Sequence, residues 1–313
     1  MMFSSTMRKA AFAAAASFSL LAFWLPGAAK GQSLEEMAVI AIELGQDDLL
    51  QRAIERGANV NGRAGELSLL GHAVRLDRMS AATLLVRRGA DINLATGPAN
   101  QQRSPLAIAL DAGRRDGDRF GAALGLLRLG ADPKTMESLA ARTAIDTGNL
   151  TLYQAVLSAG GSPADTGPNG ISVFHFVVDA ASDAMRRALS SCSSAEIDHV
   201  RTLMKMLDVS LTEGAELNRP INGMPLMSFV LSNGLFEFAD AMIRSGVSPV
   251  QAGADNRRPI QVAYAFALPA DPCRNNARQL SVAEVTAAQL FRAEVAAAQQ
   301  RMVERLLRAM LQQ

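Results

Sequence analysis

Aromatic side chains are scarce in this chain: one Trp, two Tyr and twelve Phe make up 5% of its 313 residues. Hydrophobic residues still reach 49%. A core built from them has to be filled by small and aliphatic side chains on closely packed helices. There is too much apolar material for a disordered chain. Charge of one sign is also missing, since 31 Lys and Arg face 30 Asp and Glu for a formal charge of +1. No run of like charge stands out, so neither a nucleic-acid footprint nor a membrane-surface patch is indicated. Histidine is down to three residues and cysteine to two. No zinc-type Cys/His spacing, glycine-rich phosphate loop or nucleophile elbow occurs. Neither a cofactor nor a metal is implied, and the chain reads as non-catalytic.

What is present begins with export. Arg8 and Lys9 precede an apolar run from Ala10 to Leu25, followed by Pro26-Gly27-Ala28-Ala29-Lys30-Gly31. A basic start, an apolar stretch and a small-residue site together read as a secretory signal peptide over residues 1–29, with cleavage near Ala29 or Gly31. The run is short of the roughly 20 residues a membrane span needs. No stable membrane insertion is expected once it is removed, and the destination is the periplasm or the medium. In such an oxidising compartment Cys192 and Cys273 either pair or persist as reactive single thiols, and their spacing does not decide between the two.

The body of the chain is repetitive. Arg56-Gly57-Ala58-Asn59-Val60-Asn61 recurs as Arg88-Gly89-Ala90-Asp91-Ile92-Asn93 and as Leu129-Gly130-Ala131-Asp132-Pro133. Looser copies are Gly160-Gly161-Ser162-Pro163, Glu213-Gly214-Ala215-Glu216-Leu217-Asn218 and Ser245-Gly246-Val247-Ser248-Pro249. The glycines at 57 and 89 are 32 residues apart, as are those at 214 and 246, and 130 to 160 is 30. A period near 33 residues means a stack of small units rather than one closed core. Each phrase follows a helical run with paired leucines (Leu49-Leu50, Leu84-Leu85, Leu126-Leu127), and its glycine suits the left-handed residue that ends a helix.

A second phrase lies about 21 residues before the first: Ser104-Pro105-Leu106-Ala107-Ile108-Ala109, with Ser68-Leu69-Leu70-Gly71-His72-Ala73 as a weaker copy. Ser172-Val173-Phe174-His175-Phe176-Val177 keeps a histidine, and Met224-Pro225-Leu226 and Arg258-Pro259-Ile260-Gln261-Val262-Ala263 open two further units. Serine caps a helix and proline suits its first turn. With these residues in place the array resembles the ankyrin repeat family. The resemblance implies an all-α fold, an ankyrin-like helical repeat solenoid of about seven helix-turn-helix units with projecting β-turn fingers over residues 33–313. The match is close in spacing and loose in letters. The fourth unit has lost the proline and keeps Thr147-Gly148-Asn149.

Departures from the period predict insertions between paired helices near 114–119, 180–197 and 268–281, emerging as loops along one edge. Cys192 and Cys273 fall in the second and third of these. The stretch from Val282 to Met310 is amphipathic, with Phe291, Val295, Met302, Val303, Leu306, Leu307 and Met310 at three- and four-residue steps. It reads as a helix capping the last repeat, or as a dimerisation helix. The monomer is the simpler expectation.

The resemblance also implies where a partner sits, on the finger tips and on the exposed side of the first helices, which line a concave face. Counting four and seven positions from each helix start gives His72, Arg75, Ile108, Asp111, Thr143, Asp146, Phe176 and Asp179. Arg63, Gln101, Gln102, Arg103, Asn169, Asn222 and Arg257 lie on the fingers. Three aspartates on successive units suggest a basic or amide-rich protein partner, and exchanging charges at Arg103 and Asp111 is expected to abolish its binding. His72 and His175 fall on the repeat phrase, where the family's histidine hydrogen-bonds backbone. His199 follows Glu196 and Asp198, a grouping compatible with metal or acid–base chemistry, but it opens a helix after a variable loop, where such residues cap and solvate. The reading is a protein-binding scaffold in the periplasm; a secreted inhibitor or effector, or an enzyme with an acidic groove, are the competing classes. Intact-mass measurement of the exported protein should give a chain that begins at Lys30 or Gln32, and a mass retaining Met1 would convert the apolar run into an anchor.

Overall fold

Helix starts in this chain are set by short polar side chains. Ser68, Ser104, Ser172 and Ser193 each accept a hydrogen bond from the amide three residues on, at 3.1, 3.2, 3.2 and 3.4 Å. Ser33, Asn149 and Ser281 do the same. Each cap satisfies a backbone donor that the first helical turn leaves open. Pro105 and Pro259 stand at the first turn of their helices, where no amide is needed.

A computed structural model describes residues 33–98, 101–117, 120–134, 139–167, 170–221, 223–251, 256–273 and 280–312. Among these the chain is mostly helical and belongs to the all-α class. The helices are α1 (Leu34–Leu44), α2 (Asp47–Glu55), α3 (Leu69–Arg75), α4 (Met79–Arg87), α5 (Pro105–Arg115), α6 (Gly121–Arg128) and α7 (Leu139–Asp146). They continue as α8 (Leu150–Ser158), α9 (Val173–Ser190), α10 (Ser194–Thr212), α11 (Leu226–Ser232), α12 (Phe236–Arg244), α13 (Pro259–Ala265) and α14 (Val282–Leu311). Two short strands, β1 (Arg63–Ala64) and β2 (Leu67–Ser68), pair antiparallel with Arg63 opposite Ser68.

The glycine phrase is a helix stop. After α2, α4, α6, α8, α10 and α12, the residue beyond a glycine of φ +80 to +101° bonds back to the carbonyl five residues earlier. Ala58 bonds to Ala53, Ala90 to Leu85, Ala131 to Leu126, Gly161 to Val156 and Ala215 to Ser210 at 3.0 Å, and Val247 to Met242 at 3.1 Å. This is the Schellman closure, which satisfies carbonyls the helix end would otherwise leave bare. A side chain at Gly89 would meet no atom within 4 Å. The glycine is there for its φ of +90°, not for space.

The described residues up to Asp91, with 96–98, form one unit, and 92–95 with those from 101 onward form another. In the first, α1 packs on α2 and α3 on α4, while α1 also packs on α3 and α2 on α4. Ile42, Leu50, Leu69, Leu70, Ala73, Ala82 and Leu85 are fully buried there. The Asn61 side chain accepts from the Asp91 amide at 2.7 Å, so one finger phrase holds the next. In the second unit α5 pairs with α6, α7 with α8, α9 with α10 and α11 with α12. First helices pack on first helices (α5 on α7, α7 on α9, α11 on α13) and second on second (α6 on α8, α8 on α10, α10 on α12). Asn93 accepts from the Asp132 amide at 3.0 Å, repeating the finger tie.

Among the described residues the aromatics lie in the second unit. Tyr153, Phe174, Phe236 and Phe238 are among the largest fully buried side chains. The Ser210 hydroxyl donates to the Met206 carbonyl at 2.7 Å, which leaves Tyr153 to donate to Ser210 at 2.8 Å. Burial pushes the Tyr153 phenol up to about 12. Helix α14 lays Ala288, Phe291, Val295, Ala298, Met302 and Leu306 against α9, α10, α12 and α13. Val303 is only half-buried, and Leu290 and Leu307 face solvent.

The excess residues near 180–197 do not leave as a loop. They lengthen both partners of a pair, giving α9 18 residues and α10 19. Ala181, Ala184, Met185, Ala188 and Leu189 are buried on α9, and Ile197, Val200 and Leu203 on α10. Added turns that bury apolar faces against each other are more stable than a solvated loop. Helix α5 likewise runs through Arg114 and Arg115; 118–119 lie outside the described residues, as do 274–279 of the third insertion. Cys192, at the α9–α10 corner, is disulfide-bonded to Cys273, with Cα atoms 5.7 Å apart across 81 residues. Arg292 on α14 donates to the Leu189 carbonyl beside that corner at 2.9 Å.

His199 does not cap a helix. It stands on α10 with its ring over Gly148, where a side-chain carbon would sit 2.6 Å from His199 Nδ1. Gly148→Ala should therefore cost more than the ~1–2 kcal/mol of a left-handed backbone alone, and in a His199→Ala background only that backbone cost should remain. Urea denaturation of the four proteins measures the difference; equal losses in both backgrounds would deny the contact.

Candidate functional site

In the first unit the finger is β1–β2 and its loop, and Arg63 is exposed on it. His72 on α3 is buried at 9% exposure. Its Nε2 is 2.8 Å from the Ala64 carbonyl and its Nδ1 3.2 Å from Arg75 Nη2. The arginine can only donate, so Nδ1 accepts and Nε2–H donates to the carbonyl. His72 braces the finger against its helix and offers no surface to a partner. Arg75 is exposed.

The remaining candidates belong to the second unit. Four positions into each first helix, Ile108 and Thr143 are buried, while Phe176 is half-exposed. Three positions further on, two of the three aspartates are already neutralised. Arg103 pairs with Asp111, and Arg114 holds Asp146 at 2.8 Å. The acidic strip expected over Asp111, Asp146 and Asp179 is therefore not one of bare charge. Asp179 has no ion-pair or hydrogen-bond partner among the described residues. Gln101 and Gln102 are exposed ahead of α5 and Arg257 ahead of α13, whereas Asn169 and Asn222 lie outside the described residues.

Phe176 and Asp179 sit one turn apart on α9 and share a depression of about 270 Å³ with the two fingers beside it. Its other walls are Gly170, Ile171, His175, Arg219, Pro220 and Ile221. One finger closes on itself through Thr166 and Ser172, the other through Ile221 and Met224. Arg219 Nη2 donates to the Gly170 carbonyl at 3.0 Å. His175 Nε2 donates to the Arg219 carbonyl at 3.1 Å, and its Nδ1 accepts from the Ser172 hydroxyl at 2.6 Å. The histidine and the arginine thus clamp two fingers together from opposite ends. His175 is buried, as a structural histidine should be.

Ile171, one of its walls, is 46% exposed, and Met224, bridged to Ile221, is 37% exposed. Arg142, from α7, lies over the Phe176 ring at 4.8 Å from its centroid, a cation–π distance. Burial in this depression pushes the Asp179 carboxyl up, and the Asp183 carboxylate one turn on adds to the rise while Arg186 opposes it. Arg186 itself pairs with Asp183. Ile171, Arg142, Arg219 and Ile221 escape a count along helix positions, because the site joins two fingers and two helices. The exposed finger apolars were the available signal.

A larger cleft of about 390 Å³ lies between α10, α12 and α14. Most of its charges are paired, Asp240 with Arg244 and Arg305 and Glu237 with Arg301, while Asp208, its carboxyl pushed up by burial against the pull of Arg244, makes no ion pair among the described residues. That makes it an ionic seam between helices. Among the described residues no group of three or more His, Cys, Asp or Glu is placed to hold a metal ion, and no helix is long and apolar enough to cross a membrane. No protein-family model matches the chain, and no curated protein does. The Phe176–Asp179 depression has the chemistry of contact: apolar lining residues, a carboxylate without a partner among the described residues and a guanidinium lining the same cavity.

His199, outside this depression, is held below the usual histidine range by burial and by the Arg187 guanidinium, against the pull of Glu196. The folded state favours its neutral ring. Stability is therefore full above the ordinary histidine value of about 6.5 and declines as pH falls from there through the lower folded value. Titrating the His199 ring by NMR in the native protein should give a midpoint below that of the urea-unfolded chain; a midpoint at or above it would remove this contribution.

Proposed function

We propose that this chain is an exported, non-catalytic protein-binding scaffold made of ankyrin-like helix pairs, an ankyrin-like repeat solenoid by family resemblance. Its partner, a protein, meets the fingers and first-helix positions, the face read as concave in such arrays. The observation that carries the reading is the half-exposed Phe176 beside Asp179, which has no ion-pair or hydrogen-bond partner among the described residues, in a depression that exposed Ile171 also lines. Solvent-facing aliphatics around an aromatic anchor are what interfaces are built from. The cap and finger hydrogen bonds support the reading further, since a surface held rigid before association loses little ordering entropy on binding. The Cys192–Cys273 bond suits a periplasmic or extracellular compartment, where disulfides persist. A secreted inhibitor would use the same surface, so the compartment of the partner separates the two.

The choice of disrupting substitution follows from the pairing. Arg103 and Asp111 face each other, so exchanging their charges rebuilds the pair in reverse and leaves the surface nearly as it was. Asp179→Lys changes an unpaired group and should be the damaging change. Capture of the tagged protein from its own periplasm, with chemical crosslinking, should place crosslinks on the fingers around Ile171 and Ile221. Asp179→Lys should weaken that partner tenfold or more, about 1.4 kcal/mol. Crosslinks confined to the outer face of α14 would overturn this surface.

A further inference from the structure

The Phe176–Asp179 depression carries two opposite charges that do not meet. Asp179 has no partner among the described residues. Arg219 lines the same cavity, makes no ion pair among the described residues, and donates one N–H to the Gly170 carbonyl. Ile171, Phe176 and Ile221 line the same cavity. Elsewhere along this face Asp111 and Asp146 are each closed by an arginine of the chain itself. At Asp179 that arginine is lacking, and the place it would fill is a cavity of about 270 Å³.

Building on the protein-binding reading, we propose that this cavity receives a lysine or arginine side chain from a partner protein. The side chain's methylene stem lies on Phe176, Ile171 and Ile221, and its charge meets Asp179. The partner's backbone carbonyl accepts from the free N–H groups of Arg219. Long basic side chains bury their stems on apolar surface in this way, and a carboxylate already stripped of part of its water gains most from a cation. A carboxylate-bearing side chain is disfavoured because it would share the cavity with the Asp179 carboxylate. A purely apolar side chain would cover Asp179 and leave it without a partner. Nearby, Asp183 is taken by Arg186, and the Arg142 guanidinium lies over the Phe176 ring.

The test uses the full exported protein with capped Ala-Xaa-Ala tripeptides, in which Xaa is lysine, arginine, norleucine or glutamate. Methyl signals of Ile171 and Ile221 report occupancy by NMR titration. Lysine and arginine peptides should bind at least fivefold more tightly than norleucine, and glutamate should bind weakest. In Asp179→Asn, an isosteric change at an exposed position, the advantage over norleucine should vanish while binding of norleucine itself is kept. Equal affinities for all four peptides in the native protein, a preference for glutamate, or selectivity that survives Asp179→Asn would overturn the inference. Basic selectivity at Asp179 with no partner captured from the cell would leave the cavity assignment standing and remove the scaffold reading. A captured partner whose affinity is untouched by Asp179→Asn would do the reverse.

Discussion

The structure depends on one closure made six times, in which an amide just past a left-handed glycine bonds the carbonyl five residues back and stops the second helix of a pair. Without it, α2, α4, α6, α8, α10 and α12 would fray at the point where the chain must turn into a finger. The finger that follows can then hand its Asn side chain to the amide of the next phrase, as Asn61 does to Asp91 and Asn93 to Asp132. A local backbone rule thereby becomes a spacing rule between neighbouring pairs.

That regularity is what lets so few aromatics suffice. In the first unit the core is Ala, Leu, Ile and Val, with alanines such as Ala73 and Ala82 at complete burial where helices approach. The large rings appear where the period is broken. Phe174 on the lengthened α9 lies 6.1 Å from the ring of Phe238 on α12. The disulfide between the α9–α10 corner and Cys273 sits in the same irregular part of the chain. Irregular packing and covalent reinforcement coincide, and so does the candidate site, on the exposed side of α9.

Much of the site was out of reach of pattern reading for a plain reason. Helix counting locates positions on one face, and Phe176 and Asp179, which it places there, line one cavity. It could not tell a bare carboxylate from a neutralised one, because Arg103 and Arg114 reach their aspartates through side-chain conformation. Nor could it find Arg219, which lies 40 residues beyond Asp179 and touches Gly170 only because two fingers close on one another. His72 illustrates the converse. Its position on the face was legible, while its burial under Ala64 was decided by the hairpin. The insertion near 180–197 was misjudged as loop because the period was treated as fixed, although the apolar spacing from Ala181 to Leu189 was itself helical.

By itself, the sequence determined the helix ends, the glycine stops, the approximate period and the all-α class. All of these follow from interactions among residues a few positions apart. Tertiary structure alone decided which aspartates are compensated, which histidines are buried and where the two cysteines lie relative to each other. It also decided that two fingers and a helix enclose a cavity around Asp179. These depend on groups far apart in the chain meeting in space, where charge, burial and hydrogen bonding are set by whatever arrives as a neighbour.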